Sequence, residues 1–212
     1  MLIRYLGHAA FDIRLADARL CLDPHKPGAV GGRFQLPEIR GPFDAIIHSH
    51  GHEDHAAWTP ALGTTHIANP PSSVESVQLS ARPAFHDQQQ GLRMGLVRML
   101  DLRGEGRRIV HSGDLGAWNA ADLQWLQGCD VLLIAAGGTY TLGPAEAADL
   151  ARQVGARAVV PMHMADSRID LPLRPVAEFL SAWSGPHRTA SQLDDVLLAS
   201  LGEPTAIVLN YP

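Results

Sequence analysis

Ala45-Ile46-Ile47-His48-Ser49-His50-Gly51-His52-Glu53-Asp54-His55 decides how this chain is read. Three apolar residues run directly into four histidines and two carboxylates. Imidazole and carboxylate are donors that divalent transition metals accept. Packing so many polar groups together gives up local apolar burial, and metal binding accounts for that loss. The expectation is half of a two-metal hydrolase site, carried at the end of a buried strand.

In an extended chain, residues two apart face the same side. His50 and His52 can therefore grip one metal. Asp54 and His55 follow a turn into a helix expected over residues 54–58, so they can point at a second centre. The pattern could be slid by two, with His48 and His50 as the gripping pair. His52 would then stand where the aspartate should be, with no histidine in the next place. Only His50-x-His52-x-Asp54-His55 fills all four positions. His48 is left to the preceding strand, as a packed histidine or a support for a ligand.

Four ligands cannot complete two metal shells. The others are expected where strands open into loops. His86 follows Pro83-Ala84-Phe85, Asp114 follows Ile109-Val110-His111-Ser112-Gly113, and His163 follows Val159-Val160-Pro161-Met162.

Working outward, short strands are expected over residues 2–6, 10–14 and 19–22, the last stopped by Asp23-Pro24. Residues 28–42, rich in Gly and Pro, read as a surface loop of a length often tied to function. Residues 43–47 form the strand that delivers the histidines. Residues 92–102 and 107–111 read as a hairpin around Gly104-Glu105-Gly106. A helix over 120–126 and a buried strand over 131–135 follow, ending at Gly137-Gly138. Each half thus runs hairpin, aspartate, connection, buried strand and polar turn, which suggests a half-repeat. Pro144 in the first turn, Glu146 behind it and Gly155 at the end delimit a helix. A strand over 157–160, amphipathic helices over 176–183 and 191–201, and a closing strand over 206–209 complete the chain. Two sheets face to face under outer helices are expected: an α/β, four-layer αββα sandwich in one domain over residues 1–212. No linker, short-period repeat or low-complexity tract interrupts it.

Composition agrees with a globular protein, at 46% hydrophobic and 18% charged residues. With 17 basic against 22 acidic residues, the net charge is −5, and there is no basic cluster. This argues against nucleic acid as a partner. Cys21 and Cys129 lie in apolar runs, so two buried free thiols and a reducing compartment are expected. No stretch reaches the ~20 apolar residues of a membrane span. The N-terminus reads as a strand rather than a signal peptide, and a soluble cytoplasmic protein is the default.

These motifs resemble the metallo-β-lactamase superfamily over nearly the whole chain. Its aspartate at a strand end matches Asp23. Its His-x-His-x-Asp-His motif matches His50, His52, Asp54 and His55. Its lone histidine, bridging aspartate and final histidine match His86, Asp114 and His163. Leu6-Gly7-His8-Ala9-Ala10-Phe11, Gly137-Gly138-Thr139-Tyr140-Thr141 and Pro161-Met162-His163 look like one branch, the ascorbate-6-phosphate-lactonase-like small metal-dependent hydrolases. The resemblance implies two divalent metal ions, zinc first, with manganese, iron or nickel also compatible. It implies a metal-bridging hydroxide that cleaves a small ester, lactone or phosphodiester. By position, His50, His52 and His86 would hold the first metal. Asp54, His55 and His163 would hold the second, with Asp114 between them. Asp54 and Asp114 would be the catalytic carboxylates, Asp54 also steering the nucleophile, and Asp23 would orient a ligand histidine. Asp114 stands where the zinc β-lactamases carry cysteine, which argues against antibiotic hydrolysis. Leu115-Gly116 and Met164-Ala165-Asp166-Ser167 depart from the lactonase pattern, so the substrate is not named. The cap domain of the superfamily's RNA-processing nucleases has no room between Asp114 and His163.

Several residues keep two readings. His8 is a pocket-lining residue or a turn histidine that caps backbone groups. His111 supports a ligand or simply packs in its strand. Gly137 and Gly138 let backbone approach a substrate or only make a tight turn. Thr139 and Tyr140 could donate hydrogen bonds to substrate. His25 and Lys26 sit on an exposed loop where they could reach the pocket mouth, Lys26 toward an anionic substrate. His66 and His187 read as surface residues, and the tryptophans as packing. The leading function is a hydrolase of a small molecule. A di-iron redox protein is the first alternative, though it would normally place a carboxylate at His52 and need an electron carrier. A non-catalytic metal-binding protein is the other.

Overall fold

The computed structural model describes residues 1–211. Its strands, in chain order, are β1 (Leu2–Gly7), β2 (Ala10–Leu15), β3 (Ala18–Leu22), β4 (Ala45–Ile47), β5 (His66–Ile67), β6 (Ser72–Val74) and β7 (Val77–Phe85). They continue with β8 (Leu96–Gly104), β9 (Arg107–His111), β10 (Val131–Ala135), β11 (Ala158–Met162), β12 (His187–Ala190), β13 (Leu193–Asp194) and β14 (Thr205–Leu209). A six-stranded sheet has the order β13-β1-β2-β3-β4-β5, and an eight-stranded sheet the order β12-β14-β11-β10-β9-β8-β7-β6. Both are mixed, and helices flank the pair, chiefly over the eight-stranded sheet, which is the expected metallo-β-lactamase type of fold. No helix among the described residues is long and apolar enough to cross a membrane.

The two-residue alternation of strands builds the layers. All five residues of β10 are buried. Val131, Leu133 and Ala135 enter the core between the sheets, where they join Phe11, Leu22 and Ile47. Leu132 and Ile134 face the other way, with Leu150 and Phe179 of the helices Pro144–Val154 and Val176–Trp183. Such an unbroken apolar strand is what a sheet covered on both faces requires. The outer face of the first sheet, at Cys21 and Ile46, is closed by Ile39, Phe43 and Leu62 from loops. Cys21 and Cys129 are free and buried.

The two halves share one strand pattern. The antiparallel pair β2–β3 leads to β4, parallel to β3. The antiparallel pair β8–β9 leads, through the helix Ala120–Leu126, to β10, parallel to β9. β11 runs parallel to β10. The carboxyl ends of β3, β4, β9 and β11 therefore open on one rim, the usual place for a site in sheets with parallel strands.

Three expected elements come out differently. The helix over 54–58 is a single turn, in which the His55 and Ala56 N–H groups both donate to the His52 carbonyl at 3.0 and 3.1 Å. Pro60 disfavours helical backbone at Thr59, so the turn cannot propagate. The helix over 191–201 shortens to Asp195–Ser200. Residues 193 and 194 pair with β1 instead, and the Asp194 carboxylate caps the Leu197 N–H at 2.9 Å. The long strand β7 was expected only at its end, because Pro83 obscures its alternation. β6 pairs with residues 77–79 alone, so Pro83 lies where β7 is an edge and needs no outward donor.

Candidate metal centre

Four strands bring the ligand candidates together. β4 delivers residues 48–55, β7 ends at His86, β9 runs through Ser112-Gly113 to Asp114, and β11 ends at His163. His50, His52 and His86 form one group of converging donors. His50 Nε2 lies 3.0 Å from His52 Nδ1, and His86 Nε2 lies 3.2 Å from the same atom. Asp54, His55 and His163 form a second group, together with His8. Asp114 Oδ2 stands between them. It is 3.2 Å from His55 Nε2 and from His163 Nε2, 3.6 Å from His86 Nε2 and 3.9 Å from His50 Nε2.

Three imidazole nitrogens aimed at one point cannot satisfy one another, because each neutral ring has a single N–H. Donors on a tetrahedral ion ~2.0–2.1 Å away would be roughly 3.3 Å apart, close to these spacings. His55 Nε2 and Asp114 Oδ1 are buried without any hydrogen-bond partner. The donor set fits divalent cations.

The opposite ring nitrogens are held from behind. His86 Nδ1–H donates to the Tyr140 carbonyl at 3.0 Å. His55 Nδ1–H donates to Asp23 Oδ2 at 3.0 Å. His50 Nδ1 meets Ser49 Oγ at 2.9 Å, and that hydroxyl donates to Asp23 Oδ2 at 2.5 Å. Each of these bonds turns an Nε2 lone pair toward the centre. Gly113, at φ +54, lets β9 pass against Ser49, where a Cβ would lie 3.0 Å from the serine Cβ.

Electrostatics agree with a cation site. Burial, then His55, pushes His50 down to about 3, and burial, then His163, pushes His8 down to about 3. Burial, then His86, also lowers His52. These rings stay neutral and keep lone pairs for a metal. Burial alone would raise Asp114 and Asp54, but the surrounding imidazoles hold both well below the usual carboxylate range. Burial would lower His55, but Asp114, Asp23 and Asp54 raise it well above an ordinary histidine. The carboxylates demand positive charge at this spot.

The remaining candidates divide. His8 is buried, and its Nε2 lies 3.1 Å from Asp54 Oδ2, so it braces that carboxylate. His111 is also buried, donating to the Ala9 carbonyl at 2.9 Å and accepting from the Gly113 N–H at 3.0 Å. His48 stays outside the ligand groups, its Nδ1 3.0 Å from His66 Nε2. Gly137 packs against the His163 carbonyl, so its missing side chain serves β11 rather than a substrate. The Thr139 hydroxyl donates to the Pro172 carbonyl at 2.7 Å. His25 is not at an exposed mouth. It is buried against Phe34, 3.3 Å from the Pro37 carbonyl. Lys26 is spent on Glu53 at 2.7 Å.

A cleft of about 300 Å³ opens onto His52, Asp54, His86, Asp114 and His163. Its other wall is Val30, Arg33, Glu53, Met94, Tyr140 and Leu171. Apart from Tyr140, sequence reasoning missed this wall, though Val30 and Arg33 lie in the loop singled out for its length. Ser49 was missed too; its place between the aligned His48 and His50 was the available signal.

The model of the beta-lactamase superfamily domain matches residues 2–163. A UPF0173 metal-dependent hydrolase from Opitutus terrae is 27% identical over 193 residues, covering 77% of this chain and 84% of the relative. Another, from Myxococcus xanthus, is 30% identical over 200 residues, covering 76% and 69%. Among solved structures, a protein of the metallo-beta-lactamase superfamily from Thermotoga maritima superposes with a TM-score of 0.76 at 26% identity, covering 99% of each chain.

Proposed function

The chain belongs to the metallo-β-lactamase superfamily and is a metal-dependent hydrolase; on that premise we propose that it holds two divalent cations and cleaves a small ester, lactone or phosphodiester. The observation that carries the two-metal reading is Asp114 Oδ2, 3.2 Å from His55 and His163 and 3.6 Å from His86, a member of the other group. In this reading His50, His52 and His86 hold one ion, Asp54, His55 and His163 the other, and Asp114 both. Two bound cations, zinc being the first choice for this donor set, lower the pKa of a water toward neutrality and polarise the scissile carbonyl or phosphoryl group.

The chain's own part is positioning. Asp54 lines the cleft and is braced by His8, so its carboxylate can accept a hydrogen bond from the attacking water and orient it. Asp23 and Ser49 keep the His55 and His50 rings turned to the centre. Tyr140 holds His86 through its carbonyl and offers its side chain to the cleft. The lactonase-like phrases at residues 6–11 and 161–163 support an ester or lactone over a long polymer. The cleft, continuous with the metal groups, favours turnover over storage of metal. An intact histidine at position 52, 3.0 Å from His50, favours hydrolysis over oxygen chemistry.

Elemental analysis of the pure protein, with assays on activated esters, lactones and bis-p-nitrophenyl phosphate, tests the reading. About two metals per chain and turnover of at least one class are expected. Asp114→Ala is expected to lose both. A fully active Asp114→Ala protein would end the two-metal mechanism.

A further inference from the structure

We propose that Arg33 is a specificity residue that reads an oxyanion, carboxylate or phosphate, on the part of the substrate remote from the scissile bond. The inference rests on the hydrolytic reading of the same cleft and names what enters it.

Arg33 lines the cleft, is exposed, and its guanidinium has no hydrogen bond or ion pair among the described residues. Its neighbours of like charge are already neutralised. Lys26 is paired with Glu53 at 2.7 Å, and Arg168 with Asp166 at 2.7 Å. Within the lining of this cleft the one arginine is therefore Arg33, which also borders the neighbouring surface cleft at Asp166 and Asp170. A guanidinium presents a planar fork that suits carboxylate and phosphate.

Its backbone is fixed although its loop is glycine-rich. The Arg33 carbonyl accepts the Asp170 N–H at 2.9 Å, and the Arg168 carbonyl accepts the Gln35 N–H at 2.7 Å. Phe34 between them is buried and forms a bridge with Ile169. On the other side, Glu53 Oε2 accepts the Val30 N–H at 2.9 Å. The loop is thus tied both to the segment after His163 and to the histidine motif itself. Besides the candidate ligands and Arg33 the lining holds apolar Val30, Met94 and Leu171, with Tyr140 and the Lys26-paired Glu53. A polar centre, apolar lining and one arginine suit a short carbon chain with a labile bond at one end and an anion at the other.

Calorimetric titration of the metal-loaded protein tests the assignment without turnover. Succinate, glutarate and adipate are compared with butyrate, valerate and hexanoate, and with the corresponding ω-phosphonocarboxylates. One carboxylate of each can occupy the centre, so the second anion reports Arg33. At one chain length or more, the dianion should bind at least about tenfold tighter than its monocarboxylate counterpart. Arg33→Met should erase that ratio and leave monocarboxylate binding unchanged, and Arg33→Lys should keep part of it. The phosphono series then tells a carboxylate site from a phosphate site. An unchanged ratio in Arg33→Met, or no preference for any dianion in the wild type, overturns the proposal. A wild-type dianion preference that Arg33→Met erases, in a protein inactive on every ester, lactone and phosphodiester, leaves Arg33 assigned and sinks the hydrolytic reading instead.

Discussion

Asp23 accepts three hydrogen bonds inside the protein, from the Ser49 N–H at 2.6 Å, the Ser49 hydroxyl at 2.5 Å and His55 Nδ1–H at 3.0 Å. Through them it braces the rotation of two candidate ligand imidazoles, with which it also forms a third group of converging donors. Asp23→Asn places an amide N–H₂ or a single acceptor where two oxygens now serve three donors. Such supports behind a ligand are worth about 10–100-fold in metal affinity. Competition titration against a chromophoric chelator should show a loss of that size. Ser49→Ala, which cuts only the arm to His50, should lose less. Equal affinity in Asp23→Asn and the wild type would show that the His55 ring is held by packing alone.

The turn at residues 28–32 is the least regular element near the site. Val30 sits at φ 54 and ψ 51, a left-handed conformation that costs a β-branched residue about 1–3 kcal/mol. The Val30 N–H on Glu53 and the Lys26–Glu53 ion pair hold it there. Glu53→Gln keeps the shape of the side chain and removes the charge. Hydrogen exchange over residues 26–34 is expected to accelerate by about tenfold, with metal content unchanged; exchange at the wild-type rate would show that Phe34 alone fixes the loop. The same element shows what local pattern can and cannot tell. The loop's length marked it as functional, but Glu53, the unassigned position inside the histidine motif, gains its role only from a loop that docks on it. The turn at residues 53–55 carries the same lesson, since local polarity and spacing suit a helix until Pro60 and the docking of Trp58 on the Gly63 carbonyl, at 3.0 Å, end it.

At the scale of the molecule, the centre joins the two sheets at one rim. β4 of the first sheet leads to four of the candidate donors, and β7, β9 and β11 of the second lead to His86, Asp114 and His163. Without cations, buried carboxylates face one another across that seam, relieved by a proton on His55. The core between the sheets, around Phe11, Leu22, Leu102 and Leu133, includes no ligand. Chelation should therefore weaken the protein without unfolding it. Binding at a hundredfold excess over Kd is worth about 2.7 kcal/mol. With that loss taken twice for two ions, and ~2–4 °C per kcal/mol for a chain of this size, EDTA should lower Tm by about 10–20 °C with the far-UV spectrum kept at 25 °C. Unfolding at room temperature on chelation would mean that the sheets depend on the metals to stay together.

The sequence alone determined the candidate donor residues, their order along the chain and the layered arrangement of strands. Those follow from short-range rules: a two-residue period, apolar runs that must be buried, and polar residues clustered where a strand ends. Only the tertiary structure decided which ring nitrogen faces the centre, that Asp23 reaches His50 through Ser49, that His25 is buried while exposed Lys26 pairs with Glu53, and that Arg33 lines the cleft without a partner among the described residues. Each of these depends on which distant segment docks against which. Strand pairing and loop docking across sheets are settled by packing of the whole chain, and no local period encodes them.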